Sequence, residues 1–288
     1  MYLTGRRRSF LRLKSVMEPM NPFQRLLLSA LLCCLFFTSC VQRTYYQSPL
    51  VGSVPVFRTM PVASDSVKAA TYVNGTIALG GMNQHLRDDF FSFHSGLYRS
   101  HVTGNVRVNY GAAVSLGTYH VDAYGILYPD TASRVKQPGT KFFGAYGGYA
   151  GISAATPMGR RGEWRYIGLE GTLFNEWGDY YRFRKELPDS SANSIDKRKW
   201  LGSLGLSTEL VFKRRSGNKF GMKFIFGSYL RSLSYNNYNG NSYDNRSHDN
   251  LLYFSAVYHA TVRRSTGFVQ LNIATHATNV QLGLNYRL

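Results

Sequence analysis

Between Lys68 and Leu288, apolar and polar residues alternate with a period of two through one segment after another, the pattern of strands that carry one apolar and one polar face. Trp200, Leu204, Leu206, Leu210 and Phe212 share one face of such a segment, with Ser203, Ser207, Glu209 and Lys213 on the other. The next segment sets Phe220, Met222, Phe224 and Phe226 against Lys223, Tyr229 and Arg231. A third sets Leu252, Phe254, Ala256, Tyr258, Ala260 and Val262 against Tyr253, Ser255, His259 and Arg263. No convincing run of period 3.6 follows Lys68. The pattern predicts an all-β fold of about ten strands, near residues 68–80, 98–108, 112–124, 141–155, 163–182, 199–213, 218–235, 249–263, 267–274 and 279–288.

The connections decide what these strands build. Links at 83–96, 125–140, 183–198 and 236–248 are long and polar, although the one near His276 is short. The intervening links are tight: Tyr110-Gly111, PMGRRG at 157–162, RSG at 215–217 and Ser265-Thr266. A soluble sandwich has no reason to gather its long loops at one end, whereas a transmembrane barrel has short turns on one side and long loops on the other. The expected architecture is therefore a transmembrane antiparallel up-and-down β-barrel. Opposite residues of an antiparallel pair share a face. The RSG loop then pairs Arg214 with Asn218 and puts Glu209 across from Lys223, and a Ser265-Thr266 turn puts Val262 across from Val269 and His259 across from Asn272. A soluble barrel with its apolar face inward fits the same alternation. Against it stand the length of segments such as 163–182 and the gathering of Trp164, Tyr166, Trp177, Tyr180, Tyr181, Trp200 and Tyr235 near segment ends, where membrane interfaces favour amphipathic rings.

The amino-terminal stretch is of another kind. Leu26 to Thr38 forms a run of about 13 apolar residues, too short for a membrane-spanning helix but long enough for the apolar part of a secretion signal. Arg6, Arg7, Arg8, Arg12, Lys14 and Arg25 supply the basic flank. Phe37-Thr38-Ser39-Cys40 resembles the lipobox of bacterial lipoprotein signals, in which the cysteine is acylated and becomes the new amino terminus. That resemblance implies a leader at 1–39 that is removed, a lipid attached at Cys40, and a mature chain without disulfides, since Cys33 and Cys34 leave with the leader and Cys40 alone is kept. The mature chain stays strongly basic, which in an exported protein points to anionic lipid headgroups or envelope polymers and not to nucleic acid. Residues 40–67 contain Pro49, Pro55 and Pro61 and read as an extended, lipid-anchored linker before a barrel at 68–288.

The last residues, QLGLNYRL, resemble the terminal insertion signal of bacterial outer-membrane barrels through Gln281, Gly283, Tyr286 and Leu288. Leu282, Leu284, Tyr286 and Leu288 would face lipid, and Gln281, Asn285 and Arg287 would point inward. The whole chain looks like a bacterial envelope protein of recurrent type, a lipoprotein signal and short linker followed by a small outer-membrane barrel. This likeness implies an outer-membrane location and insertion by the barrel assembly machinery. It brings no catalytic or binding residues. A periplasmic amino terminus goes with an even strand count, and the leaflet of the anchor is left open.

Ten strands close around a narrow interior. Its expected polar cluster is Arg107, Glu170, Glu209, Lys223, Arg231, His259 and Arg263, along with Tyr229, either neutralising itself as a salt-bridged plug or lining a narrow path that favours anions. Paired acids with a histidine would suit an outer-membrane protease. Asp244, His248 and Asp249, or Asp88 and Asp89, supply the residue types without the spacing, and no serine–base pair marks a lipid esterase. No phosphate-binding or zinc-protease motif is present, the seven histidines lack ligand spacing, and neither a cofactor nor a metal is expected. The Tyr/Asn/Ser-rich stretch at 234–250 has the composition of a recognition loop. Arg160, Arg161, Arg214, Arg215, Arg263 and Arg264 gather in the short turns, where lipid phosphates are near. The functional expectation is a non-enzymatic structural or accessory barrel with a protein partner in the envelope, its linker at 41–66 the first docking element; a narrow transport pathway and surface binding through the long loops are the alternatives.

Overall fold

The computed structural model describes residues 45–83, 88–122, 137–159, 161–188, 194–236 and 246–288, with the backbone alone for 231–236 and 246–250. The leader, Cys40 and the centre of the 237–245 loop lie outside these residues. In chain order the elements are β1 (Tyr45–Tyr46), a helical turn at Leu50–Ser53, β2 (Ala69–Met82), β3 (Asp88–Thr103), β4 (Val106–Val121), β5 (Gly139–Met158), β6 (Gly162–Trp177), α1 (Asp179–Glu186), β7 (Ser194–Ile195), β8 (Trp200–Lys213), β9 (Lys219–Asn236), β10 (Arg246–Val262), β11 (Ser265–Ala274) and β12 (Ala277–Arg287). Ten of the strands, β2 to β6 and β8 to β12, form one closed antiparallel barrel, sealed where β12 pairs with β2. The two-residue strands β1 and β7 pair separately, in parallel.

The direction of the faces settles whether this barrel is of the soluble or the membrane kind. Leu79, Phe226 and Leu282 are 59, 59 and 57 % exposed on the outside, whereas Gln270, Gln281 and Asn285 are fully buried inside. A soluble barrel would invert this arrangement, so the outer wall is one that faces hydrocarbon. Trp164 near the short turns, and Trp177 and Trp200 near the long loops, stand exposed at the two ends of the apolar band. Leu282, Leu284, Tyr286 and Leu288 lie on the outer face and Gln281 and Asn285 on the inner one. Tyr180 departs from the expected girdle: it belongs to α1, not to a strand, and is fully buried.

Strands β8 and β9 pair Glu209 with Lys223, and Arg214 N–H donates to Asn218 O at 2.8 Å, the register read from the RSG turn. Two expectations are corrected. β3 and β4 begin earlier than 98 and 112, and their turn is Gly104-Asn105, with Gly104 at φ 56°, instead of Tyr110-Gly111. Phe90 and Tyr98 point inward beside outward Phe91, Phe93 and Leu97, so aromatic residues on both faces hide the period of two. The turn between β10 and β11 is Arg263-Arg264, so Val262 pairs with Ser265 and His259 with Phe268. The slip is four residues, an even number, and the face assignment survives it.

The segment at 40–67, read as an extended linker, is placed by the structure from Tyr45 onward. From Tyr45 to Val62 every residue is buried, because this segment runs inside the barrel. Ten strands spaced about 4.8 Å apart and tilted about 40° enclose a backbone diameter of only about 20 Å. One extended chain with its side chains fills such a lumen.

Candidate functional site

The lumen segment cannot join the barrel's ladder, so its backbone groups must find side-chain partners. The inner face of the wall supplies them in order along its length. Near the long loops, Tyr45 N–H donates to Asn83 Oδ1 at 2.9 Å and Gln47 Nε2 donates to Thr275 O at 3.1 Å. Deeper, Asn279 Nδ2 donates to Gly52 O, Gln281 Nε2 to Ser53 O at 2.7 Å and Tyr229 Oη to Val54 O at 2.5 Å. At mid-barrel Gln270 grips two residues at once, its Nε2 on Pro55 O at 2.7 Å and its Oε1 taking Phe57 N–H at 2.9 Å. Further on, Tyr98 Oη accepts Thr59 N–H at 2.9 Å, and Arg165 Nη2 donates to the carbonyls of Met60 and Pro61 at 3.3 and 3.2 Å. Glu163 then accepts Ala63 N–H at 2.6 Å. Phe57 is the apolar anchor, fully buried, stacked on His259 at 4.6 Å and edge-on to Phe268 at 5.2 Å.

Gly283 makes this seat possible. It faces inward, and a Cβ there would meet the ring of Phe268 and the side chain of Thr76.

Below Phe57 the charges form one buried network. Arg165 bonds Glu209 through Nη1 at 2.6 Å and Glu163 through Nε at 3.0 Å, while Arg107 bonds Glu163 through Nη2 at 2.7 Å. Lys223 pairs with Glu170, and His259 Nε2 lies 3.0 Å from the second oxygen of Glu209. Arg58 of the lumen segment lies over the Tyr149 ring at 3.3 Å. Four bases, Arg58, Arg107, Arg165 and Lys223, thus stand among three acids, Glu163, Glu170 and Glu209. Pairing of this kind is what permits charges away from water, and it leaves these acids engaged with bases. At the short-turn rim Asp65 closes the segment against Lys219 at 2.6 Å and Lys213 at 3.2 Å. Burial pushes the Asp65 carboxyl up, but the two lysines and the Val62 N–H outweigh it and hold the group below its ordinary 3.8.

The opposite end is covered by α1. Tyr180 stacks on Tyr119 at 4.0 Å, Phe183 meets Tyr46 edge-on at 5.5 Å, and Arg184 reaches Glu176 at 2.5 Å and Asp196 O at 2.6 Å. Tyr119 Oη in turn donates to Asp88 at 2.8 Å. The helix and the β1–β7 pair close the lumen over the helical turn at Leu50–Ser53.

The residues expected in the lumen divide accordingly. Arg107, Glu170, Glu209, Lys223 and His259 meet in the network, with Tyr229 holding the segment above it. The expected Glu209–Lys223 neighbours do not bond each other; each takes an acid or base from β6. Arg263 is a correction: it occupies the β10–β11 turn at φ 55° and is exposed. The Arg231 side chain lies outside the described residues, as do those of Asp244, His248 and Asp249. Asp88 is buried in hydrogen bonds and Asp89 is exposed, so the two carboxyls do not face each other. The sequence reading missed Glu163, Arg165 and Arg58, the centre of the network. Glu163 and Arg165 alternate with Trp164 and Tyr166 at the start of β6, a usable signal that the adjacent turn obscured. Among the described residues no group of His, Cys, Asp and Glu could hold a metal.

No family model matches the chain, and no curated protein does either. Among solved structures it is similar to an outer-membrane channel from Pseudomonas putida F1, at 10 % identity and a TM-score of 0.40 over 80 % of this chain and all of that one. It is likewise similar to the β domain of the Bordetella autotransporter BrkA, at 9 % identity and a TM-score of 0.44 over 77 % of this chain and all of that one.

Proposed function

We propose that this protein is a non-enzymatic barrel of the bacterial outer membrane, closed by its own amino-terminal segment, that serves as a structural or accessory subunit of an envelope assembly. The observation that carries the reading is the lumen itself. Residues 45–65 occupy it from rim to rim, bonded to the wall at intervals along their whole length. Among the described residues, a segment packed this way takes the space that a water path along the lumen would need. This argues against the transport alternative. The apolar outer band and the single-ended long loops support the outer-membrane location, and the lipobox-like stretch supports acylation at Cys40. Anionic headgroups would meet the arginines of the short turns. With the lumen taken, a partner would engage the long loops, the rims or the outer wall, and not the buried part of the 41–66 segment, residues 45–62.

Affinity purification from native outer membranes in mild detergent, with mass spectrometry of companions and of the amino-terminal peptide, tests this. A stoichiometric companion and an acylated Cys40 are expected. A barrel that is recovered alone and unacylated would overturn the accessory and anchor assignments together.

A further inference from the structure

The lumen segment has a direction. Tyr45 lies at the long-loop rim, where its N–H meets Asn83, its ring stacks on His276 of the β11–β12 turn at 3.7 Å, and β1 pairs with β7 from the β6–β8 connection. Asp65 lies at the other rim, between Lys213 and Lys219 beside the β8–β9 turn. Three residues on, Lys68 O accepts the N–H of Val102 next to the β3–β4 turn. The wall contacts between these ends follow one order along the barrel, from Asn279 and Gln281 through Gln270 and Tyr98 to Arg165 and Glu163. Each of these contacts is specific to one residue, so the segment has one fixed direction. The chain therefore enters at the long-loop end, crosses the whole lumen and leaves at the short-turn end, where β2 begins.

We infer that the chain is threaded through the barrel from the long-loop side of the membrane, with Tyr45 at that face and Asp65 at the other. Given the outer-membrane reading proposed above, the long-loop side is the cell surface. An even strand count sets only the ends of the barrel, and here β2 begins and β12 ends at the short-turn side; the lumen segment then puts Tyr45 at the opposite side. The barrel thus carries residues 45–65 of its own chain across the membrane, from the long-loop side to the short-turn side.

The test uses one short epitope placed in three variants of the full chain: between Gln42 and Arg43, in the 237–245 loop, and at Ser216 in the β8–β9 turn. Antibody binding is compared between intact and permeabilised cells, with heat-dependent gel migration checking that each barrel is folded. The amino-terminal and loop epitopes should give the same signal before and after permeabilisation, and the turn epitope a signal only after it. An amino-terminal epitope that behaves like the turn epitope overturns the inference and leaves the barrel's orientation standing. A loop epitope hidden in intact cells while the turn is exposed overturns the orientation instead; an amino-terminal epitope that still follows the loop then supports the threading. A Thr44→Cys variant, compared with the parent chain using a membrane-impermeant maleimide, repeats the measurement without an insertion.

Discussion

Arg165 is the side chain on which the lumen's charge network converges, and its removal has a calculable cost. It is 2 % exposed, bonds Glu209 at 2.6 Å and Glu163 at 3.0 Å, and holds the carbonyls of Met60 and Pro61. In Arg165→Met the volume stays similar, but Glu209 keeps only His259 within contact, with Lys223 across the strand pair, and Glu163 keeps Arg107. Removing one partner of a buried pair costs about 3–5 kcal/mol because the other charge remains buried and unmatched. Two carboxylates are affected here, which places the loss near 4 kcal/mol, close to a thousandfold in the unfolding equilibrium. Urea titration of the protein folded into lipid vesicles, followed by heat-dependent gel migration, reads this as a shift in midpoint. The double variant Arg165→Met with Glu209→Met removes the orphaned charge and should regain part of the loss, since contacting residues couple by about 0.5–3 kcal/mol. A single variant within about 1 kcal/mol of the parent, or a double variant no more stable than the single, would refute the reasoning, because both outcomes would mean that water already reaches this site.

Three further outcomes follow from the same lumen. Phe57→Ala empties the seat between His259 and Phe268 and should cost about 3–5 kcal/mol in the same titration; an unchanged midpoint would mean the segment is not packed there. Gly283→Ala drives a Cβ into Phe268 and Thr76, an overpacking expected to cost about 1–3 kcal/mol, and Gly283→Ala with Phe268→Leu should recover some of it if the clash is the cause. The folded carboxyl of Asp65 is held below its unfolded value, so its contribution is present above about pH 4 and is lost as pH falls through the folded value. Asp65→Asn should therefore be less stable than the parent at neutral pH and converge with it in acid, and a gap between the two that persists at low pH would remove Asp65 from the account.

Much of the barrel was legible because its information is local. Alternation fixes which residue faces lipid whatever strand lies next to it, so Leu206, Phe226 and Leu282 are readable from their own segments. The three-residue RSG turn likewise sets the β8–β9 register by itself. What decides the lumen is non-local. Val51, Val54, Val56, Phe57, Met60 and Val62 have no period because they meet the wall on all sides, and a proline-bearing stretch that pairs with nothing reads as a linker. The partners of Glu209 and Lys223 come from β6 and β10, and no spacing within one hairpin points to them. α1 went unseen because its eight residues span barely two turns between polar loops.

The central claim is that this lumen is closed by its own chain, and single-channel recording of the purified, folded protein in planar bilayers tests it most directly. The account gives no stepwise current from the parent protein and clear conducting steps from a folded variant lacking residues 45–62. A stable open current from the parent protein would contradict it.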